Sequence, residues 1–336
     1  MKSLPKLVIS LATIAFLVSV NLIAGGAQKE KPTLQKSGQP DQNSQSTQEP
    51  SFRLGTDLVL LDVTVVDPNN KPILNLNKEQ FQVFEDKSPQ KIEFFSRDQV
   101  PVSLVFTIDA SGSMRPKLDT VIKASVNLVK SSIAGDEMAV IEFKDTPELL
   151  EEFTTDVNDV TDALQGMTAS RQTAMLDALY LSADYANKEG KNRRKAVILV
   201  TDGLDNNSYY KFDEVVNHLR EADVEIYFIG FTNDLSNDHA LFNHSDKDKA
   251  ENLLNKLAVE TGGRAFFPRE LSEVHTIAQD ISTTLRTQYS IGYYPTNSKR
   301  DGTFRAVKVT VEGSANKKMI AHARAGYTSA RDTSRN

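Results

Sequence analysis

Cysteine is absent from the 336 residues, so disulfides, thiolate metal sites and thiol nucleophiles are excluded together. A basic excess is absent too: 39 Lys and Arg stand against 45 Asp and Glu, a net charge of −6, without the basic stripe that a nucleic-acid partner needs. The chain also has no P-loop, no Gly-x-Ser-x-Gly elbow and no His-Glu-x-x-His. Its five histidines lack ligand spacing. His239 and His244 read as solvated residues of the polar stretch 233–249, which can shape partner choice, and His218, His275 and His322 are isolated.

Long apolar runs are nearly absent, and the one that exists opens the chain. Lys2 and Lys6 flank the start of an 18-residue run, Leu7 to Ala24, followed by Gly25, Gly26 and Ala27. This is the pattern of a secretory signal cleaved near Ala27 or of an uncleaved membrane anchor, and it places the protein outside the cytoplasm. From 28 to 52 the sequence is rich in Gln, Ser and Pro, with Leu34 as the large aliphatic residue before Phe52, which predicts a disordered linker.

Two textures follow. Between 53 and 100 the pattern has period two: DLVLLDVTVVD puts Val59, Leu61, Val63 and Val65 on one face, and further short strands fit near 81–84 and 92–95. From 101 to 286 apolar runs (SLVFTID, EMAVIEF, AVILVTD, EIYFIGF) alternate with helical stretches at 117–132, 157–167, 174–186, 212–222, 250–261 and 271–286. Strands without polar alternation are covered on both faces, so this segment predicts an α/β, doubly wound, mostly parallel sheet. Period two returns over 287–327, with Val307, Val309 and Val311 on one face, and 328–336 reads as a disordered tail. The two flanking β segments are expected to join into one small all-β module, because lone hairpins are marginal in water. Tyr293 and Tyr294 are expected to anchor it, and Met114 to be a packing residue.

The chemistry collects at strand ends. The first α/β strand finishes in Asp109-Ala110-Ser111-Gly112-Ser113, AVILVTD delivers Asp202 with Gly203, and the loop TASRQT precedes a helix. Open α/β sheets bind ligands at this carboxyl edge. Two acids with hydroxyls, and no His or Cys, are hard oxygen donors that suit Mg²⁺, Mn²⁺ or Ca²⁺ over zinc or copper. Asp109 and Ser111 as mere helix caps would need one such residue, not the whole set. Asp205, Asn206 and Asn207 read as turn and cap chemistry before Phe212, and Asp177 either as a partner of a metal-bound water or as one polar helix position.

This set resembles the von Willebrand factor type A family, whose metal-ion-dependent adhesion site reads Asp-x-Ser-x-Ser, then Thr, then Asp within Thr-Asp-Gly. The resemblance implies that Ser111, Ser113 and Thr173 offer hydroxyls to Mg²⁺ while Asp109 and Asp202 bind it directly or through water. A coordination position is then left for an Asp or Glu of a protein partner. Where the family commonly shows Gly-Gly before the Thr, this chain has Arg171-Gln172, and Thr168 is the other threonine of the loop. EQFQVFED, YSIGYYP and ARAGY are similar to segments of exported bacterial proteins related to this family. The function implied is an exported, non-enzymatic adhesion or assembly module. The alternatives are a structural factor of the cell envelope with a secondary metal site, or a Mg²⁺-dependent phosphatase-like enzyme with Asp109 as nucleophile. Against the enzyme, Ser111 stands where such sites usually carry a second Asp.

Overall fold

The computed structural model describes residues 29, 31–36, 58–170, 172–235, 246–312 and 318–331. The N-terminal apolar run, Arg171, His239 and His244 lie outside these residues, as do 332–336. Among the described residues no helix is long and apolar enough to cross a membrane.

In chain order the strands and helices begin with β1 (Gln35–Lys36), β2 (Val59–Val66), β3 (Phe81–Glu85), β4 (Ser88–Gln90) and β5 (Ile92–Ser96). The α/β part follows with β6 (Val102–Asp109), α1 (Arg115–Lys130), β7 (Glu137–Phe143), β8 (Pro147–Thr154), α2 (Val157–Gln165) and α3 (Met175–Glu189). It continues through β9 (Arg194–Thr201), α4 (Phe212–Glu221), β10 (Glu225–Gly230), α5 (Asp246–Thr261), β11 (Ala265–Phe266) and α6 (Glu273–Arg286). The chain closes with β12 (Tyr289–Tyr293), β13 (Phe304–Val311), β14 (Ile320–His322) and β15 (Gly326–Thr328).

The apolar runs make one seven-stranded sheet in the order β1-β8-β7-β6-β9-β10-β11, parallel except where β8 folds back on β7. Each central strand buries both faces. On β6, Leu104, Phe106 and Ile108 pack with α1, α2 and α6, whereas Val105 points to the opposite core with α3, α4 and α5. That division is why the strands lack polar alternation. Met114 is fully buried in the first core, as expected of a packing residue.

The two β flanks pair across more than 220 residues of chain: Tyr289 lies opposite Val63, and Val309 opposite Val83. They form two four-stranded antiparallel sheets, β14-β2-β12-β5 and β15-β13-β3-β4. Between them lies one core, which takes Val59, Leu61, Val63 and Val65 on the predicted face of β2 and the aromatic trio Phe81, Phe95 and Tyr289, with ring centroids 5.0–5.7 Å apart. Tyr293 is wholly buried and donates to Glu85 Oε2 at 2.9 Å. Tyr294 is a correction: it lies just beyond the end of β12 and is 53% exposed.

Two other expectations change. Residues 31–36 of the expected linker are seated on the sheet, where Leu34 packs against the second core and β1 runs beside β8. The start of the expected tail is tied down as well, since Ser329 N donates to Thr303 O at 2.9 Å and its hydroxyl to Asp301 Oδ1 at 2.9 Å.

Below the parallel strands the sandwich meets the α/β part through a polar junction. Asp62 of β2 accepts a fork from Arg193 (2.8 and 2.9 Å) and a third bond from Arg194 Nε (3.1 Å). Nearby, both Glu225 oxygens lie 2.7 Å from Gln288 Nε2, and one accepts from the Tyr227 hydroxyl at 2.7 Å. Burial, and then the charge of Asp62, push the Glu225 carboxyl up to about 8 against these neutral donors. Between the ordinary carboxyl range and pH 8 the folded protein therefore keeps a proton that the unfolded chain has lost. Stability falls as pH rises through that window, by at most about 1.4 kcal/mol per pH unit. Chemical denaturation from pH 5 to 8.5 is expected to show this decline, and Glu225→Gln is expected to flatten it.

Candidate metal centre

The strand order reverses at β6: the chain passes first to β7 on one side and later to β9 on the other. A crevice opens above such a switch point, because the connections leave in opposite directions. Asp109 ends β6 and Asp202 follows β9, so both acids stand at the mouth of that crevice. Both are buried, Asp109 completely and Asp202 with 3% exposed.

Neutral donors hold Asp109. Thr201 Oγ1 donates to its Oδ2 at 2.8 Å, and the Ser111 backbone N–H donates to Oδ1 at 2.9 Å. Burial pushes its carboxyl up to about 6; the bonds from Ser111 and Thr201 oppose this, and the charge of Asp202 adds to it. Among the described residues neither acid has a Lys or Arg partner in an ion pair. Ser111 Oγ and Ser113 Oγ lie 3.1 Å apart. Ser111 precedes the short turn Gly112–Met114 but makes no side-chain cap bond, so its hydroxyl is not consumed by capping.

Backbone bonds stitch the three loops together. Ser170 N donates to Ala110 O at 2.8 Å, joining the TASRQT loop to the DASGS loop. Thr173 O accepts from the N–H groups of Asn206 and Asn207 at 3.2 and 3.1 Å, and Asn206 Oδ1 accepts from Thr173 N at 3.2 Å. Of the two threonines, Thr173 is buried at 3% exposure and Thr168 is exposed. Gly203 has φ +85°, and an added Cβ would lie 3.0 Å from Ala250 Cβ; a glycine lets the chain turn there directly after Asp202.

Thr201 is the threonine of the Thr-Asp-Gly run, and its bond to Asp109 is not visible in the sequence; Asp145 carries no sequence signal and reads only as part of the β7–β8 turn. Asp145 Oδ1 accepts from Gln172 N at 2.9 Å, and its carbonyl accepts from Asn207 Nδ2 at 3.1 Å. Asp205 does cap a helix, but it is α3 rather than the helix at Phe212: it accepts from Met175 N at 3.1 Å, while Ser208 Oγ accepts from Asp177 N at 3.2 Å. The residue before α3, Ala174, has no capping side chain, so the neighbouring loop supplies one.

Asp177 is likewise corrected. It is 4% exposed, and its carboxylate accepts from the backbone N–H groups of Tyr209 and Tyr210 at 2.9 Å each. It thereby anchors the loop that begins at Asp202. Asp177→Ala strands two N–H groups, the one of Tyr210 buried and the one of Tyr209 partly so, and is expected to lower stability by about 2 kcal/mol in chemical denaturation. Amide exchange over residues 203–210 should accelerate in the same variant.

The donor set fits a hard dication on chemical grounds. Two buried carboxylates repel one another without an ion-pair partner among the described residues, and neutral hydroxyls lie beside them; a small divalent ion would relieve this imbalance. No cluster of three or more His, Asp or Glu able to hold a metal exists among the described residues. Any ion here would therefore depend on hydroxyl and water oxygens in addition to the two acids.

The architecture and this crevice define a doubly wound α/β domain with carboxylate and hydroxyl groups gathered at its switch point. The chain belongs to the von Willebrand factor type A domain family, whose model matches residues 103–280, just over half of its length. Similar solved structures include an aerotolerance-related membrane protein from Bacteroides fragilis, at 15% identity over 55% of this chain and 98% of that one, TM-score 0.44. They also include the vWF domain of the type V pili tip protein Mfa5 from Porphyromonas gingivalis (16% identity, 56% and 97% covered, TM-score 0.43). A von Willebrand factor type A protein from Catenulispora acidiphila covers more of the chain (13% identity, 84% and 76%, TM-score 0.46). No curated protein matches.

Proposed function

We propose that the protein is a binding module that works outside the cytoplasm, takes up Mg²⁺ (or Mn²⁺ or Ca²⁺) at Asp109, Ser111, Ser113, Thr173 and Asp202, and captures through it an Asp or Glu of a protein partner. The observation that carries this reading is Asp109: a fully buried acid beside Asp202, held among the described residues by neutral donors, with the Ser111 and Ser113 hydroxyls turned toward each other next to it. A cation bound there supplies a Lewis-acidic position that an incoming carboxylate can complete. The chain's own part is to hold five oxygens in fixed loops and to contribute only two charges, so part of the ion's charge is left for the partner. Ser111, at the place where phosphatase-like sites carry a second acid, favours binding over catalysis. The export reading rests on the apolar run at Leu7 to Ala24.

Calorimetric titration of Mg²⁺ or Mn²⁺ tests the site. One ion per chain is expected, with binding abolished in Asp109→Ala; no uptake by the unaltered protein, or full uptake by the variant, would sink it. Cross-linking in cells then tests the role. An Asp202→Ala protein that captures partners undiminished would make the metal secondary and favour an envelope structural factor.

A further inference from the structure

One buried hydroxyl outside the proposed ligand set is bonded to both sides of the crevice. β6 and β9 run in register through Ile108 and Val200, so the next residues, Asp109 and Thr201, leave the sheet side by side. Thr201 is completely buried and its backbone is held, since its carbonyl accepts from Phe231 N at 2.8 Å. Its hydroxyl accepts from Gly203 N at 3.1 Å and donates to Asp109 Oδ2 at 2.8 Å. A backbone N–H can only donate, so the Thr201 proton is directed onto the carboxylate. The other oxygen of Asp109 accepts from Ser111 N at 2.9 Å. Across the crevice, Asp202 lies in the chain between the two ends of the Gly203–Thr201 bond, and its Oδ1 accepts from Leu204 N at 3.2 Å.

We infer, resting on the metal reading of this crevice, that Thr201 is a positioning residue: its one hydroxyl fixes the spacing of Asp109 and Asp202 so that both reach the same cation. Thr201 acts through its two bonds rather than as a ligand, since its proton is committed to Asp109 Oδ2 and its oxygen accepts from Gly203. One bond orients the first acid, and the other closes the turn that carries the second. The spacing matters because Mg²⁺ takes oxygens at about 2.0–2.1 Å in near-octahedral geometry and tolerates little displacement. Groups that orient a metal's ligands from behind typically change its affinity by about 10–100-fold when they are removed. A threonine that served only the packing of the strand end would need its shape and not its hydroxyl. Valine supplies that shape and suits a strand equally well.

Calorimetric titration of Mg²⁺ into the full chain separates the two roles. Thr201→Val is expected to raise the dissociation constant by about tenfold or more, and Thr201→Ser, which keeps the hydroxyl, to stay within about threefold of the unaltered protein. Without metal, hydrogen exchange at the Gly203 amide should be faster in Thr201→Val than in the other two. Equal affinity in Thr201→Val and the unaltered protein, or a serine variant as weak as the valine one, would overturn the role of Thr201 while leaving the metal site standing. No Mg²⁺ uptake by the unaltered protein would overturn both. Should Thr201→Val not fold, NMR of the unaltered protein replaces it: the Thr201 hydroxyl proton, slowed in exchange by its bond to Asp109, is expected to be visible and to shift as Mg²⁺ is added. A missing resonance, or one indifferent to bound Mg²⁺, contradicts the proposal.

Discussion

Arg194→Ala is expected to lower the stability of the protein by about 3–5 kcal/mol, read as a reduced denaturant midpoint at unchanged slope. Arg194 is deeply buried in the junction, with 2% of its side chain exposed. Its guanidinium donates to Asp62 Oδ1 at 3.1 Å, to the carbonyls of Leu285 and Gln288 at 3.0 and 3.1 Å, and to Ser290 Oγ at 3.1 Å. Truncation thus strands the carbonyl of Leu285 in the last turn of α6 and that of Gln288 just beyond it, and takes one of two cations from Asp62. Burial pushes the Asp62 carboxyl up, but the bond from Arg193 and the charges of both arginines outweigh this and hold it below its ordinary value. Its contribution is therefore present at neutral pH and lost only as pH falls through that lowered value. Arg194→Lys should recover little, since one ammonium cannot reproduce four bonds made by a planar fork. Arg193→Ala should cost about 1 kcal/mol or less, because that side chain is 40% exposed. Equal losses for the two alanine variants would show that burial does not govern this network.

The second large effect concerns the crevice. Saturating Mg²⁺, at about a hundred times its dissociation constant, is expected to stabilise the protein by about 2.7 kcal/mol, which raises a melting temperature by several degrees in a domain of this size. The signs in Asp109→Asn are the discriminating part. Without metal the variant loses the repulsion between two buried acids and should be at least as stable as the unaltered protein; with metal it should gain nothing. A mutation that merely damaged the fold would lower stability in both conditions. Differential scanning calorimetry with Mg²⁺ and with EDTA separates these outcomes.

Much of this architecture is legible in the chain because its signals are local. Apolar runs such as SLVFTID and AVILVTD can be satisfied only under helices, and helix starts such as that of α4 at Phe212 follow from periodicity. Asp109, Ser111, Ser113 and Asp202 are readable as candidates because they stand where β6 and β9 end, whereas Thr173, in the loop before α3, is a candidate through the family resemblance. What stayed hidden depends on partners distant in sequence. β8 reads PELLEEFT, too acidic for a strand by composition, and becomes one by pairing with β7. Asp205 and Asp177 look like ordinary turn and helix residues until folding brings their loop and α3 together. The Asp62 and Arg194 junction joins positions 132 residues apart, and nothing in either neighbourhood marks it.

In the proposed site one hard cation is shared by oxygens from three loops. Diffraction from a crystal soaked in Mn²⁺, recorded near the manganese edge, tests it most directly. An anomalous peak enclosed by Asp109, Ser111, Ser113, Thr173 and Asp202 is the expected result. Manganese bound elsewhere on the molecule, with no peak among those five side chains, would contradict it.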